Sequence, residues 1–110
     1  MNLEAVLQRK LATLYPDLVI RNEVSDVLAS YGVEKREQEP LRIRLAVLKL
    51  SSDDVEKIKT NITYAKQDFR EVLVWAEYRR QSGKWSMRDS PKKRKIIAAG
   101  RAEYEQWLEI

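Results

Sequence analysis

The chain has 110 residues, 44% of them hydrophobic and 35% charged, with 21 Lys and Arg against 17 Asp and Glu for a net charge of +4. That length suits one domain around one core, and three Gly with three Pro among many good helix formers favour an all-α class, residues 1–110 forming a single helical domain. The absence of Cys and His removes disulfides, thiolate nucleophiles, zinc sites and Ser-His triads, so no cofactor or catalytic group is expected and any enzyme chemistry would rest on carboxylates, Lys or Tyr, with Mg²⁺ at most.

Residues 2–15 read as a first helix, with Asn2 as its cap and Leu3, Val6, Leu7, Leu11 and Leu14 on one face. Pro16 ends it, because the residue before a proline is pushed out of helical geometry. A second helix over 17–31 carries Leu18, Val24, Val27, Leu28 and Tyr31, with Gly32 where a left-handed cap is wanted. The short join favours an antiparallel pair. Residues 34–39 are polar and highly charged and read as a surface connection or a loosely held first turn, and Pro40 suits the first turn of a third helix.

Residues 41–50 are ambiguous. Leu41, Ile43, Leu45 and Val47 alternate as a strand would, whereas Leu41, Leu45 and Leu48 fit a helix. A lone strand has no partner elsewhere in the chain, so helix is the expectation.

The longest pattern is Val55, Ile58, Ile62, Ala65, Phe69, Val72 and Ala76, in alternating steps of three and four, which lays all of them on one helical face. Ser51, Ser52, Asp53 and Asp54 offer capping oxygens, and Asp53 with Glu56 has capping-box spacing. The stripe widens through Val72-Leu73-Val74-Trp75-Ala76, so residues 53–80 are expected to form the long central helix of a bundle. Residues 81–89 read as a Gly/Ser loop. Ser90-Pro91 then starts a last helix over 91–108, with Ile97, Gly100, Tyr104, Trp107 and Leu108 on one face. The expected architecture is five helices packed around the fourth.

The stretch Ala65-Lys66-Gln67-Asp68-Phe69-Arg70-Glu71-Val72-Leu73-Val74-Trp75-Ala76-Glu77-Tyr78, with residues 44–50 before it and Tyr104-Glu105-Gln106-Trp107-Leu108 after it, resembles a group of short uncharacterised bacterial proteins. The resemblance implies a bacterial, helical protein and brings no activity and no site residues.

Charge supplies the most asymmetric feature. Arg79, Arg80, Lys84, Arg88, Lys92, Lys93, Arg94 and Lys95 face a single acid, Asp89, for a balance of +7 within residues 79–95. The last four fall at the positive end of a helix, where each exposed cation is disfavoured by about 0.3–1 kcal/mol. Stability does not ask for such a cluster, and phosphates do, because neutralising them releases counterions. The plain alternative is a solvated helix face. Trp85 in the loop either stacks on a base, anchors a protein partner, or folds back over the core. Pro91-Lys92-Lys93-Arg94-Lys95 also has the form of a nuclear import tag, against which the bacterial resemblance argues.

Two further features lie on the central helix. Asp68 and Glu71 stand one turn apart and offer a weak Mg²⁺ pair, with nearby Lys66 and Arg70 as simpler partners. Tyr64, Val74 and Tyr78, if exposed together, form an apolar patch suited to a homodimer. No apolar run is long enough to span a membrane, and the charged first residues do not form a signal peptide, so no membrane partner and a cytoplasmic setting are expected. The leading expectation is a small non-enzymatic binding or accessory protein with a basic patch for an acidic partner such as nucleic acid. The competing one is a homodimeric interaction module.

Overall fold

The computed structural model describes residues 2–51, 54–77 and 91–110, apart from the side chains of 91–94, 96 and 97. The described residues are all-helical, with no strand among them: α1 (Leu3–Leu14), α2 (Leu18–Ala29), α3 (Pro40–Ser51), α4 (Val55–Gln67), α5 (Phe69–Glu77) and α6 (Pro91–Glu109).

Local chemistry sets each boundary. The Asn2 side chain accepts the Ala5 N–H at 3.1 Å, and the non-helical backbone of Tyr15 before Pro16 closes α1. Asp17 Oδ1 caps α2 by accepting from Val19 and Ile20 at 2.9 and 3.2 Å. Arg21 staples the α1–α2 corner, its Nε donating to the Tyr15 carbonyl at 2.8 Å and its Nη2 to that of Pro16 at 3.0 Å. Arg44 of α3 serves the other end of α2, donating to the carbonyls of Leu28 at 3.0 Å and Tyr31 at 2.7 Å. Free carbonyls at a helix end are thus satisfied from a neighbouring helix. Gly32 follows at φ +101°, where a Cβ would come within 2.7 Å of the Pro40 Cβ.

The ambiguous third segment is helical and is the hub. Ile43, Leu45, Ala46, Val47, Leu48 and Ser51 of α3 are all buried, and α3 packs against α1, α2, α4 and α5. A helix enclosed on several sides needs apolar residues around most of its circumference, and consecutive apolar residues then imitate the alternation of a strand.

Within the described residues the single central helix expected over 53–80 is instead two helices, so that six helices are described where five were expected. The chain breaks at Asp68, whose backbone is extended (φ −153°, ψ 91°). Asp68 terminates α4 by donating its N–H to the Tyr64 carbonyl at 2.8 Å. Its Oδ1 accepts the N–H groups of Arg70 at 3.1 Å and Glu71 at 3.4 Å, which starts α5. One carboxylate therefore caps the second helix while its own backbone closes the first. At the start of α4 the cap is Asp54, accepting from Glu56 and Lys57 at 3.0 and 3.3 Å, and Ser51 belongs to the end of α3. Asp53 lies outside the described residues.

One contiguous core joins all six helices, with Val6, Leu7 and Leu11 of α1, Val24 and Leu28 of α2, Ile58 and Ile62 of α4, Val72 and Ala76 of α5, and Tyr104 and Leu108 of α6 around the α3 hub. Leu18, expected in the buried stripe of α2, is 62% exposed. It sits in the first turn, where the α1–α2 corner carries the chain around the outside. No helix among the described residues is long and apolar enough to cross a membrane.

Candidate nucleic-acid interface and the charged groups around it

The helix that carries Lys92, Lys93, Arg94 and Lys95 begins at Pro91, as the sequence suggests, and runs unbroken to Glu109. Lys95, Ala98 and Ala99 are exposed, and among the described side chains of α6 burial begins only at Gly100. From there the helix is anchored. Tyr104 and Leu108 are buried, Tyr104 stacks on Trp107 with ring centroids 5.8 Å apart, and Arg9 of α1 donates to the Leu108 carbonyl. The ammonium of Lys10, 4% exposed, lies 4.4 Å from the centre of the Trp107 ring. Burial pushes the Lys10 amine below the usual lysine range, with the charge of Arg9 adding to the effect. Arg79, Arg80, Lys84, Trp85 and Arg88, the other members of the basic run, lie outside the described residues, as does Tyr78.

Behind α6 sits an ion cluster around one buried carboxylate, its arginines partly exposed, that composition did not reveal. Glu77, the last residue of α5 and 1% exposed, receives Arg42 of α3 through two bonds, Nε to Oε2 at 2.7 Å and Nη2 to Oε1 at 2.5 Å. Arg101 of α6 brings its buried Nη1 within 3.0 Å of Glu77 Oε1, a charge contact without hydrogen-bond alignment. Arg101 Nε meets Glu105 at 3.2 Å on the outer side. Burial, with the charge of Glu77 behind it, pushes the Tyr104 hydroxyl well above the usual tyrosine range, so it stays protonated. The cluster ties α3, α5 and α6 together. Its sequence signal was an acid directly after the apolar run 72–76 and Arg42 early in the largely apolar third helix.

A second buried carboxylate organises the connection before α3. Glu37 was expected on a polar surface loop and is 5% exposed. Its Oε1 accepts the N–H groups of Gly32, Val33 and Glu34 at 2.8, 3.1 and 3.4 Å, and Lys66 Nζ approaches Oε2 at 3.5 Å. The turn at Gly32 exposes consecutive N–H groups to one side, and the carboxylate fills that concavity. Tyr31, buried beneath, donates its hydroxyl to the Gln38 carbonyl at 2.8 Å.

Where α4 gives way to α5, Arg36, Lys66, Gln67, Asp68, Phe69 and Arg70 line an open cleft of about 480 Å³. Asp68 borders it, while Glu71, its expected Mg²⁺ partner, is exposed and does not. Asp68 Oδ1 is committed to the helix cap, so the pair is better explained by capping than by a metal.

Of the expected interface residues, Tyr64 is half-exposed, Val74 is partly covered, and the Tyr64 ring meets the partly buried Trp75 edge-on at 6.0 Å. Larger apolar exposure lies elsewhere, at Leu18, Val19 and Ile20 on α2 and at Val33. Comparison with protein-family models, with curated proteins and with solved structures finds no significant match to this chain.

Proposed function

We propose that this chain is a small non-enzymatic binding protein whose basic segment, residues 79–95, engages an acidic partner such as nucleic acid. The observation that carries the reading is that Lys92, Lys93, Arg94 and Lys95 occupy the opening turns of α6, where the helix dipole opposes cations. Fold stability does not account for them, and a polyanion does. Among the described side chains of α6, Lys95 is exposed and burial starts at Gly100.

Such a surface binds by charge and reads no bases. The test is a salt titration against a labelled oligonucleotide. The logarithm of the binding constant falls against the logarithm of salt with a slope of about −0.9 per neutralised phosphate for duplex DNA and about −0.7 for single strands. The K92A/K93A variant flattens that slope by about two phosphates and leaves sequence preference unchanged. Absence of binding at low salt, or an identical slope in the variant, means a solvated surface.

A second reading, a homodimer through the side of Tyr64, Val74 and Tyr78, draws on the half-exposed ring of Tyr64. A dimer whose mass in size-exclusion chromatography does not change with salt favours it over the polyanion surface.

A further inference from the structure

We propose that the cleft at the α4–α5 break binds a small phosphate-bearing anion, held by Arg36, Lys66 and Arg70 beside Phe69. Its volume of about 480 Å³ lies within the range of about 300–1,000 Å³ that small-molecule sites occupy. Three cations line it against one carboxylate, that of Asp68.

The cations are available in a way their sequence neighbours do not suggest. The guanidinium of Arg70 has no partner among the described residues, while its backbone N–H donates to Asp68 Oδ1. Arg36 engages its Nε with Glu34 at 2.9 Å in a pair exposed on both sides, and such a pair contributes little and exchanges readily. Its two Nη groups carry no partner among the described residues, so the fork that suits phosphate oxygens is open. Lys66 sits 3.5 Å from Glu37, whose charge is also met by three backbone N–H groups, so the ammonium is shared with the carboxylate and not the sole group that serves it.

The opposing charge is tied down. Asp68 directs Oδ1 at the first N–H groups of α5, so its charge is offset by that helix end. The amide of Gln67 adds a neutral donor, and the half-buried Phe69 an apolar wall for whatever carries the phosphate. The positions converge only because the chain breaks at Asp68. In a continuous helix Lys66 and Arg70 would stand one turn apart on a convex face.

Inorganic pyrophosphate is the probe, added at low salt to uniformly ¹⁵N-labelled full chain while amide shifts are followed. The expected result is a saturable shift centred on Gln67, Phe69 and Arg70. The R36A/R70A variant should weaken it about tenfold or more, the loss expected for removing charge-assisted bonds. K92A/K93A should leave it unchanged, which separates this site from the basic turns of α6. Both cleft arginines are exposed, and a thermal melt of the variant checks that it folds; the milder R70Q provides a second variant. The proposal is overturned if no shift saturates at those amides, if sulfate at equal ionic strength moves them equally, if R36A/R70A binds like the parent chain, or if the loss follows Lys92 and Lys93 instead.

Discussion

Arg42 and Glu77 meet across α3 and α5 in a two-bond pair, 2.7 and 2.5 Å long, around a carboxylate that is 1% exposed. The two residues stand 35 positions apart in the chain, and they fix how the end of α5 sits on the hub helix. A buried pair is costly to break and much cheaper to replace whole, because a lone partner remains as an uncompensated charge. The R42A variant should lose about 3 kcal/mol, the lower end of the range for removing one partner, since Arg101 stays beside Glu77. The R42M/E77M double variant should recover more than half of that loss. Urea unfolding of both, with the parent chain alongside, checks the order; a double variant less stable than R42A would contradict it.

Asp68 makes a different test, because it closes one helix and opens the next. Replacing it by Ala should cost about 1 kcal/mol, while Asn, which keeps a capping oxygen, should cost a few tenths. Denaturant midpoints measure the difference. Helix content by circular dichroism should stay constant in both, since the flanking stripes remain buried.

Glu37 predicts an acid response. The N–H of Gly32 foremost, with those of Glu34 and Val33 and the charge of Lys66, holds its carboxyl below the usual carboxylate range, and burial opposes only in part. The folded state therefore binds the proton less readily than the unfolded chain. The resulting stabilisation is complete above the ordinary value of 4.5 and disappears as pH falls through the lower folded value. Melting temperatures of the parent chain and E37Q should differ most at about pH 7, and the difference should shrink as pH falls below 4.5. Parallel curves across that window would show that Glu37 is not the group involved.

Leu18 and Ile43 separate sequence pattern from packing. Leu18 falls in an apolar helical stripe and Ile43 only in the strand-like alternation of its segment, yet Leu18 is 62% exposed and Ile43 is 0% exposed. The I43A variant should lose about 2–5 kcal/mol, and L18A should remain within about 0.5 kcal/mol of the parent chain. Equilibrium unfolding of the two variants is the measurement.

The helical class, the ends set by Pro16, Gly32, Pro40 and Pro91, and most of the core were legible because each rests on local spacing. The break at Asp68 was hidden because the apolar stripe stays in phase across it: Ala65, Phe69, Val72 and Ala76 keep helical intervals whether or not the backbone between them is continuous. A signal was present nonetheless. Asp68 and Glu71, considered as a metal pair, have the spacing of a capping box. The hub role of α3 was obscured by its own burial, which removes the polar face that makes a helix recognisable. Arg42, Glu77 and the cleft of Arg36 and Arg70 depend on residues brought together from distant positions, and no periodicity encodes such pairings.

The bond between Arg9 and the Leu108 carbonyl joins positions 99 residues apart, which bears on the order in which the protein takes shape as it leaves the ribosome. α1 is translated before α2 and α3, which supply its nearer partners in the chain. Its other side, with Lys10 beneath Trp107, faces water until α6 has been translated. Closing so long a loop is entropically costly, though the cost grows only slowly with length. Until α6 is made, Lys10 has no Trp107 ring over it and stays hydrated. Desolvation of that one amine marks the moment at which the last helix arrives.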